Sequence, residues 1–139
     1  MASIVFSHGN GFPASTYRVL NKDLESRGFQ VSAIEKLGHN PQFPVTSNWP
    51  RLRDQLIDFI DAEAPQGAYL VGHSLGGLLS LLAACKRPDL AQGLVMLDSP
   101  VFTGWRALPR PDSATGAAAL VHVVPLLVRT FPDVPGATN

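Results

Sequence analysis

The chain has 139 residues, 45% of them apolar and 16% charged, against about 25% charged in an ordinary soluble domain, which is material for a single core and too apolar for disorder. Eleven basic and eleven acidic residues cancel, and a pI near 6.9 gives no electrostatic reason to expect nucleic acid or an anionic membrane as a partner. The lone Cys85 excludes an internal disulfide framework, and no Cys/His cluster stands at zinc-ligand spacing, so a reducing, cytoplasmic setting without a metal is expected.

Strand and helix patterns alternate along the first hundred residues. Ser3 to Ser7 is a short β-rich run that ends in the turn cluster His8-Gly9-Asn10-Gly11. Ser15 or Thr16 is placed to cap a first helix with Tyr17, Leu20 and Leu24 facing inward, and Gly28 stands where a left-handed C-terminal cap belongs. Phe29 to Glu35 predicts a second strand, followed by a Pro/Gly/Asn-rich loop from Gly38 to Ser47. The next helix has Ser47 or Asn48 as cap and Pro50 in its first turn, where a missing N–H costs nothing. Leu52, Leu56, Phe59 and Ile60 share one face of it, with Asp54, Asp58 and Asp61 largely opposite, and Pro65 and Gly67 stop it. A strand Ala68 to Gly72, a helix Leu75 to Arg87 and a strand Gly93 to Leu97 complete the series. Strands separated by helices imply right-handed crossovers and a parallel sheet, hence an α/β sandwich of about four strands.

Neither targeting nor membrane signals stand out. Met1-Ala2-Ser3 lacks a basic leader, Ile4-Val5-Phe6 is too short for a signal core, and the longest apolar stretch, Ala117 to Val128, is broken by His122 and Pro125. Cys85 is expected as a small core residue, and Trp49 and Trp105 as packing residues rather than cleft walls.

The chemistry-bearing motif is Gly72-His73-Ser74-Leu75-Gly76, a G-x-S-x-G pattern followed by Gly77. A pattern with three fixed positions is common by chance; its setting makes it informative. An apolar strand runs into it and an apolar helix runs out, the strand–turn–helix context of a nucleophile elbow. Such a turn strains its serine so that the hydroxyl projects, and needs glycines on both sides so that strand and helix can approach. The helix N-terminus beneath it offers N–H groups to a developing oxyanion.

Together with His8-Gly9-Asn10-Gly11-Phe12-Pro13 after the first strand, this elbow resembles the α/β-hydrolase fold family over residues 3 to about 103. The resemblance implies Ser74 as nucleophile, the Leu75 N–H as one oxyanion donor and the Asn10–Gly11 backbone as the other. A serine rather than an aspartate nucleophile is unlike the haloalkane dehalogenase and epoxide hydrolase branches, and points to esterase-like acyl transfer on a small acyl substrate without a cofactor. A competing reading takes Gly9-Asn10-Gly11-Phe12-Pro13-Ala14 as G-x-G-x-x-A and Glu35 as the ribose-binding acid of a dinucleotide fold. Pro13 stands against it, because that position should donate helical N–H bonds.

A serine needs a base, and the base an acid, in the family order Ser, then Asp or Glu, then His. His8 belongs to the oxyanion segment, His39 to an upstream loop, and His73 adjoins the nucleophile with its ring directed elsewhere; only His122 lies downstream, in an apolar run with no preceding strand–helix unit. Asp98, at the carboxyl end of a strand, is the candidate acid, equally readable as a loop cap, and Asp112 is a third choice. The family resemblance implies a longer chain with later strands carrying acid and base, so the sequence reads as the front part of a hydrolase domain.

From Gly104 to Asn139 the text changes: five of the twelve prolines, no Lys and no Glu. The domain expectation is therefore a partial hydrolase core over 1–103 and an atypical tail over 104–139, either an incomplete cap region or, from around residue 107, a frameshift product. The functions left open are a serine hydrolase and a catalytically incomplete, binding-only fragment, with the dinucleotide module behind both. Without later strands, the strand Gly93 to Leu97 would be an unprotected edge through which copies could associate.

Overall fold

A computed structural model of the chain describes residues 1–46 and 49–99. Four strands, β1 (Ser3–Ser7), β2 (Gln30–Ala33), β3 (Ala68–His73) and β4 (Ala91–Leu97), form a sheet in the order β2-β1-β3-β4, with every pairing parallel. The connecting helices are α1 (Arg18–Ser26), α2 (Pro50–Glu63) and α3 (Leu75–Lys86), with short 3-10 turns at Ala14–Tyr17 and Pro88–Leu90.

The period of two in β1 decides which residue meets which layer. Val5 turns to the face covered by α2 and α3, where Leu52, Leu56, Ile60, Leu70, Leu79 and Met96 make the main core. Ile4 and Phe6 turn to the other face, against Val71 and the α1 side, with Tyr17 and Leu24 packed on them. β1 is thus an inner strand buried on both faces and reads as a continuous apolar run, as parallel strands do. β4 is the last strand of the described sheet, and Val95 and Leu97 on it are 44% and 38% exposed.

Glycines end the elements where expected. Gly28 follows α1 at φ +93°, and Gly67 turns the chain into β3 at φ +87°. Pro50 opens α2 at its first position, as anticipated, but the residue before the helix is Trp49 in a left-handed conformation (φ 65°, ψ 12°); the expected caps Ser47 and Asn48 lie outside the described residues. Asp54 on α2 accepts hydrogen bonds from Lys86 of α3 at 2.8 Å and from Arg53 at 3.0 Å. Burial pushes its carboxyl up, and the two cations more than offset this and hold it below the usual carboxylate range. Arg87 ties the end of α3 to Asp61 at 3.0 Å and Asp89 at 2.7 Å.

Three local expectations need correction. The first helix begins as a 3-10 turn, with no side-chain cap from Ser15 or Thr16; the regular helix starts at Arg18, which turns Leu20 to solvent and leaves Tyr17 and Leu24 as its inward contacts. Cys85 is exposed rather than buried, because the buried stripe of α3 passes through Leu79, Ala83 and Ala84 and residue 85 falls one step beyond it. β2 ends at Ala33, two residues early, because Glu35 turns away to serve the 3-10 turn: its carbonyl accepts the Ala14 N–H at 3.0 Å and its carboxylate the Ser15 hydroxyl at 2.7 Å. The tail 104–139, with Trp105, Asp112 and His122, lies outside the described residues.

Candidate active site

From β1 the chain crosses one way to β2 and then back over β1 to β3, so the strand order reverses between β1 and β3. In open α/β sheets the crevice beyond the carboxyl ends of the strands at such a point is where ligands bind. The His8–Phe12 segment leaves β1 there, and Ser74 leaves β3 beside it.

Ser74 has φ 53° and ψ −119°, a region closed to most L-residues, and stands between the last residue of β3 and the first of α3. Its N–H donates to Leu97 O at 2.9 Å, which extends the β3–β4 ladder by one residue, and its carbonyl accepts the Gly77 N–H at 3.1 Å. The strained residue is therefore held by hydrogen bonds on both sides. The glycines around it are required by close approach rather than by φ. A Cβ on Gly72 would overlap the Gly76 carbonyl and the Gly77 nitrogen. One on Gly76 would overlap Ser7 O and stand 2.6 Å from His8 O, and one on Gly77 would meet the buried Ser99 side chain. The first turn of α3 is thus pressed against the end of β1, which brings the two motifs 65 residues apart into contact. Ser80 Oγ, fully buried, donates to Gly76 O one turn back at 2.8 Å and stands 3.4 Å from Ser7 Oγ at the end of β1.

The β1 exit is a tight turn. Phe12 N–H donates to Gly9 O at 3.2 Å across Asn10 and Gly11, and Gly11 has φ +80°, the geometry of a type II turn, which calls for glycine at its third position. Among the described residues the N–H groups of Asn10, Gly11 and Leu75 have no recorded acceptor. His8 is buried, and its ring is fully engaged: Nε2 accepts the Leu37 N–H at 2.8 Å, which leaves the proton on Nδ1 to be donated to Gly9 O at 2.7 Å. His8 thereby fastens the loop after β2 to the turn after β1.

A cleft of about 530 Å³ opens over these groups, within the range of small-molecule sites. Asn10, Gly11 and Leu75 line one side, and Leu37, Trp49 and Leu52 another, with Lys36 and His39 from the loop after β2 also on its wall. Trp49 is 37% exposed and lines the cleft, contrary to the expectation that it packs: its left-handed backbone takes it off the inward stripe of α2. Trp49, Ser74 and Asp98 are the non-glycine residues with positive φ among those described.

The structure brings together seven of the expected residues: Asn10, Gly11, Gly72, His73, Ser74, Leu75 and Gly76. Asp98 follows β4 directly, next to the Leu97 that pairs with Ser74, and is exposed, with no hydrogen bond to a described side chain. His122 lies outside the described residues. Tyr17 was read as an apolar face residue, yet its hydroxyl accepts the Gly9 N–H at 3.0 Å and meets His73 Nδ1 at 2.6 Å. A buried tyrosine needs a partner for its hydroxyl, which was the one signal in the sequence. Among the described residues no group of three His, Cys, Asp or Glu is placed to hold a metal, and no helix is long and apolar enough to cross a membrane.

The family model for the alpha/beta hydrolase family matches residues 4–138. The chain belongs to that family. The match includes residues 104–138, which the composition had set apart. Mouse monoglyceride lipase is 32% identical over 121 residues, covering 82% of this chain and 38% of the lipase. A pimeloyl-[acyl-carrier protein] methyl ester esterase from Shewanella woodyi is 29% identical over 112 residues, covering 76% of this chain and 41% of the esterase. The chain thus spans less than half the length of these curated relatives. An extracellular alpha/beta-hydrolase from a Paenibacillus species shares the fold with a TM-score of 0.62 at 22% identity, over 74% of this chain and 43% of that one. Family membership supports the hydrolase reading over the dinucleotide one, and Glu35 is bonded to Ser15. Strand order could not have separated the two, since nucleotide-binding sheets share it locally.

Proposed function

We propose that the chain carries the nucleophile and oxyanion machinery of a cofactor-free serine hydrolase acting on an ester or related acyl substrate. The observation that carries this reading is the backbone of Ser74, strained at φ 53° and ψ −119° on a turn closed by glycines against the β1 exit. Strain of 1–3 kcal/mol persists only where the surroundings impose it, and it clusters at functional sites. The relatives named as a lipase and a methyl ester esterase support an ester as the substrate class.

In this reading Ser74 Oγ attacks the acyl carbonyl carbon, and its proton passes to a base as the O–C bond forms. The carbonyl oxygen, now negative, is received by the N–H of Leu75 and those of Asn10 and Gly11, which line the same cleft. Collapse of the intermediate expels the alcohol, reprotonated by the same base, and water then releases the acid. His122 is the candidate base and Asp98 the candidate acid. A second reading, a catalytically incomplete fragment that only binds, is favoured by the described histidines beside the site: both ring nitrogens of His8, and Nδ1 of His73, are already engaged.

Labelling by a fluorophosphonate separates these readings. Rapid labelling abolished by Ser74→Ala and by His122→Ala assigns both roles; loss only in Ser74→Ala places the base elsewhere. Slow residual turnover is no proof of a base, since an oxyanion hole and binding alone leave roughly 10³–10⁴-fold acceleration over water. No labelling of the wild-type chain sinks the hydrolase reading in favour of the incomplete one.

A further inference from the structure

We propose that Tyr17 is a positioning residue that locks the oxyanion turn to the nucleophile elbow through a single hydroxyl bridging Gly9 and His73; this rests on the serine-hydrolase reading above. The hydroxyl accepts the Gly9 N–H at 3.0 Å and meets His73 Nδ1 at 2.6 Å. With one lone pair taken by Gly9, its proton is free to go to Nδ1, which makes His73 the tautomer protonated at Nε2. The ring is held independently of the hydroxyl: it packs on Phe6 with centroids 4.6 Å apart and meets the His73 ring edge-on at 5.6 Å. Tyr17 is thus a rigid strut from the far side of the sheet, with its polar tip between the two motifs.

What the tip holds matters for the chemistry. Gly9 is the first residue of the turn whose first two peptides carry the Asn10 and Gly11 N–H groups, and His73 immediately precedes Ser74. Fixing Gly9 to His73 therefore fixes the distance between oxyanion donors and nucleophile. The bridge is the one hydrogen bond between side chains that joins Gly9's neighbourhood to the elbow residues among those described. It also accounts for Gly9, whose φ is not positive: a Cβ there would stand 3.0 Å from His73 Nδ1 and 3.2 Å from the Tyr17 hydroxyl, so a larger residue would push the bridge apart.

The test uses Tyr17→Phe, which keeps the ring and deletes the bridge, with His73→Asn, which puts an amide oxygen near the position of Nδ1, and His73→Leu, which offers no acceptor. Three readouts are taken: thermal melting, the rate of Ser74 labelling by a fluorophosphonate, and ¹⁵N NMR of the Gly9–Gly11 amides and the His73 ring. Tyr17→Phe and His73→Leu should label roughly 10- to 100-fold more slowly, the scale of misplacing an oxyanion donor by a fraction of an ångström to an ångström. His73→Asn should label at least about threefold faster than His73→Leu, a pattern of acceptor dependence that loss of packing would not produce. In Tyr17→Phe the Asn10 and Gly11 amide signals should move and the His73 Nδ1 signal lose its hydrogen-bonded position. Wild-type labelling rate and unmoved amides in Tyr17→Phe would overturn the proposal, as would equal slowing in His73→Asn and His73→Leu. If the wild-type chain does not label at all, the serine-hydrolase reading fails while the bridge is still decided by the NMR signals alone.

Discussion

Gly76→Ala is the glycine substitution that brings a methyl group closest to a strand's backbone. A methyl group there would overlap Ser7 O and stand 2.5 Å from the Ser7 carbonyl carbon and 2.6 Å from His8 O, against the 3.0 Å below which real Cβ contacts essentially never fall. The obstacle is backbone on an inner strand, so no side chain can rotate away; α3 and β1 must part by about an ångström. Overpacking costs typically 1–3 kcal/mol, and with backbone as the obstacle about 3 kcal/mol is expected. At roughly 4–8 °C per kcal/mol for a core of about 100 residues, melting should fall by roughly 12–24 °C by circular dichroism. Gly11→Ala is the control: nothing lies within 4 Å of its Cβ, and only its φ of +80° opposes the change, at about 1–2 kcal/mol. Gly76→Ala melting at or above Gly11→Ala would refute the argument that close approach, not backbone conformation, makes glycine necessary there.

Ser74→Gly should be more stable than Ser74→Ala by about 1 kcal/mol in urea unfolding, because glycine adopts φ 53° without strain and alanine does not; equal stability would mean the turn carries no strain. His8→Leu should cost about 1–3 kcal/mol by leaving the Leu37 N–H without its acceptor, and hydrogen exchange at Leu37 should accelerate; a still-protected Leu37 amide would contradict the role assigned to His8. The Asp54 carboxyl titrates lower when folded than when unfolded, so its stabilisation is complete above the ordinary carboxylate value and is lost as pH falls through the lowered one. Asp54→Asn should therefore cost up to about 1 kcal/mol at pH 7 and progressively less as pH falls below the ordinary carboxylate value, read from urea midpoints; a loss unchanged down to pH 2 would assign the effect to packing.

The sheet and its helices were legible because β1, β3 and β4 are short apolar runs bounded by turn residues, and because α2 carries a regular apolar stripe. The elbow was legible for the same reason that it exists: Gly72, Gly76 and Gly77 are demanded by contacts that any residue with a Cβ would break. What escaped were properties set by small rotations or by distant chain. Leu20 was placed inward by spacing alone, but the three-residue period of the opening 3-10 turn shifts the phase of α1. Cys85 was assigned by residue type, whereas one step around α3 decides its exposure. Trp49 reaches the cleft through a left-handed backbone that no local pattern announces, and the Tyr17–His73 contact joins residues 56 apart. The turn at Ser74 was readable as a motif, while its angles had to be seen.

The order of strands has a consequence for how the chain acquires its shape. Ile4, Val5 and Phe6 are made first, yet β1 lies inside the sheet, and its second neighbour is β3, where Ile4 pairs with Tyr69 and Phe6 with Val71. Until residue 73 is available, β1 has one partner, and the Ser7 and His8 carbonyls have no α3 to rest against. Parallel pairing over such separations must meet a loop-closure cost before any contact offsets it, and it is intrinsically slow. The turn at Ser74 and the β1 exit therefore meet only once α3 settles against the inner strand, and a chain interrupted before residue 68 would carry β1 with one edge unpaired.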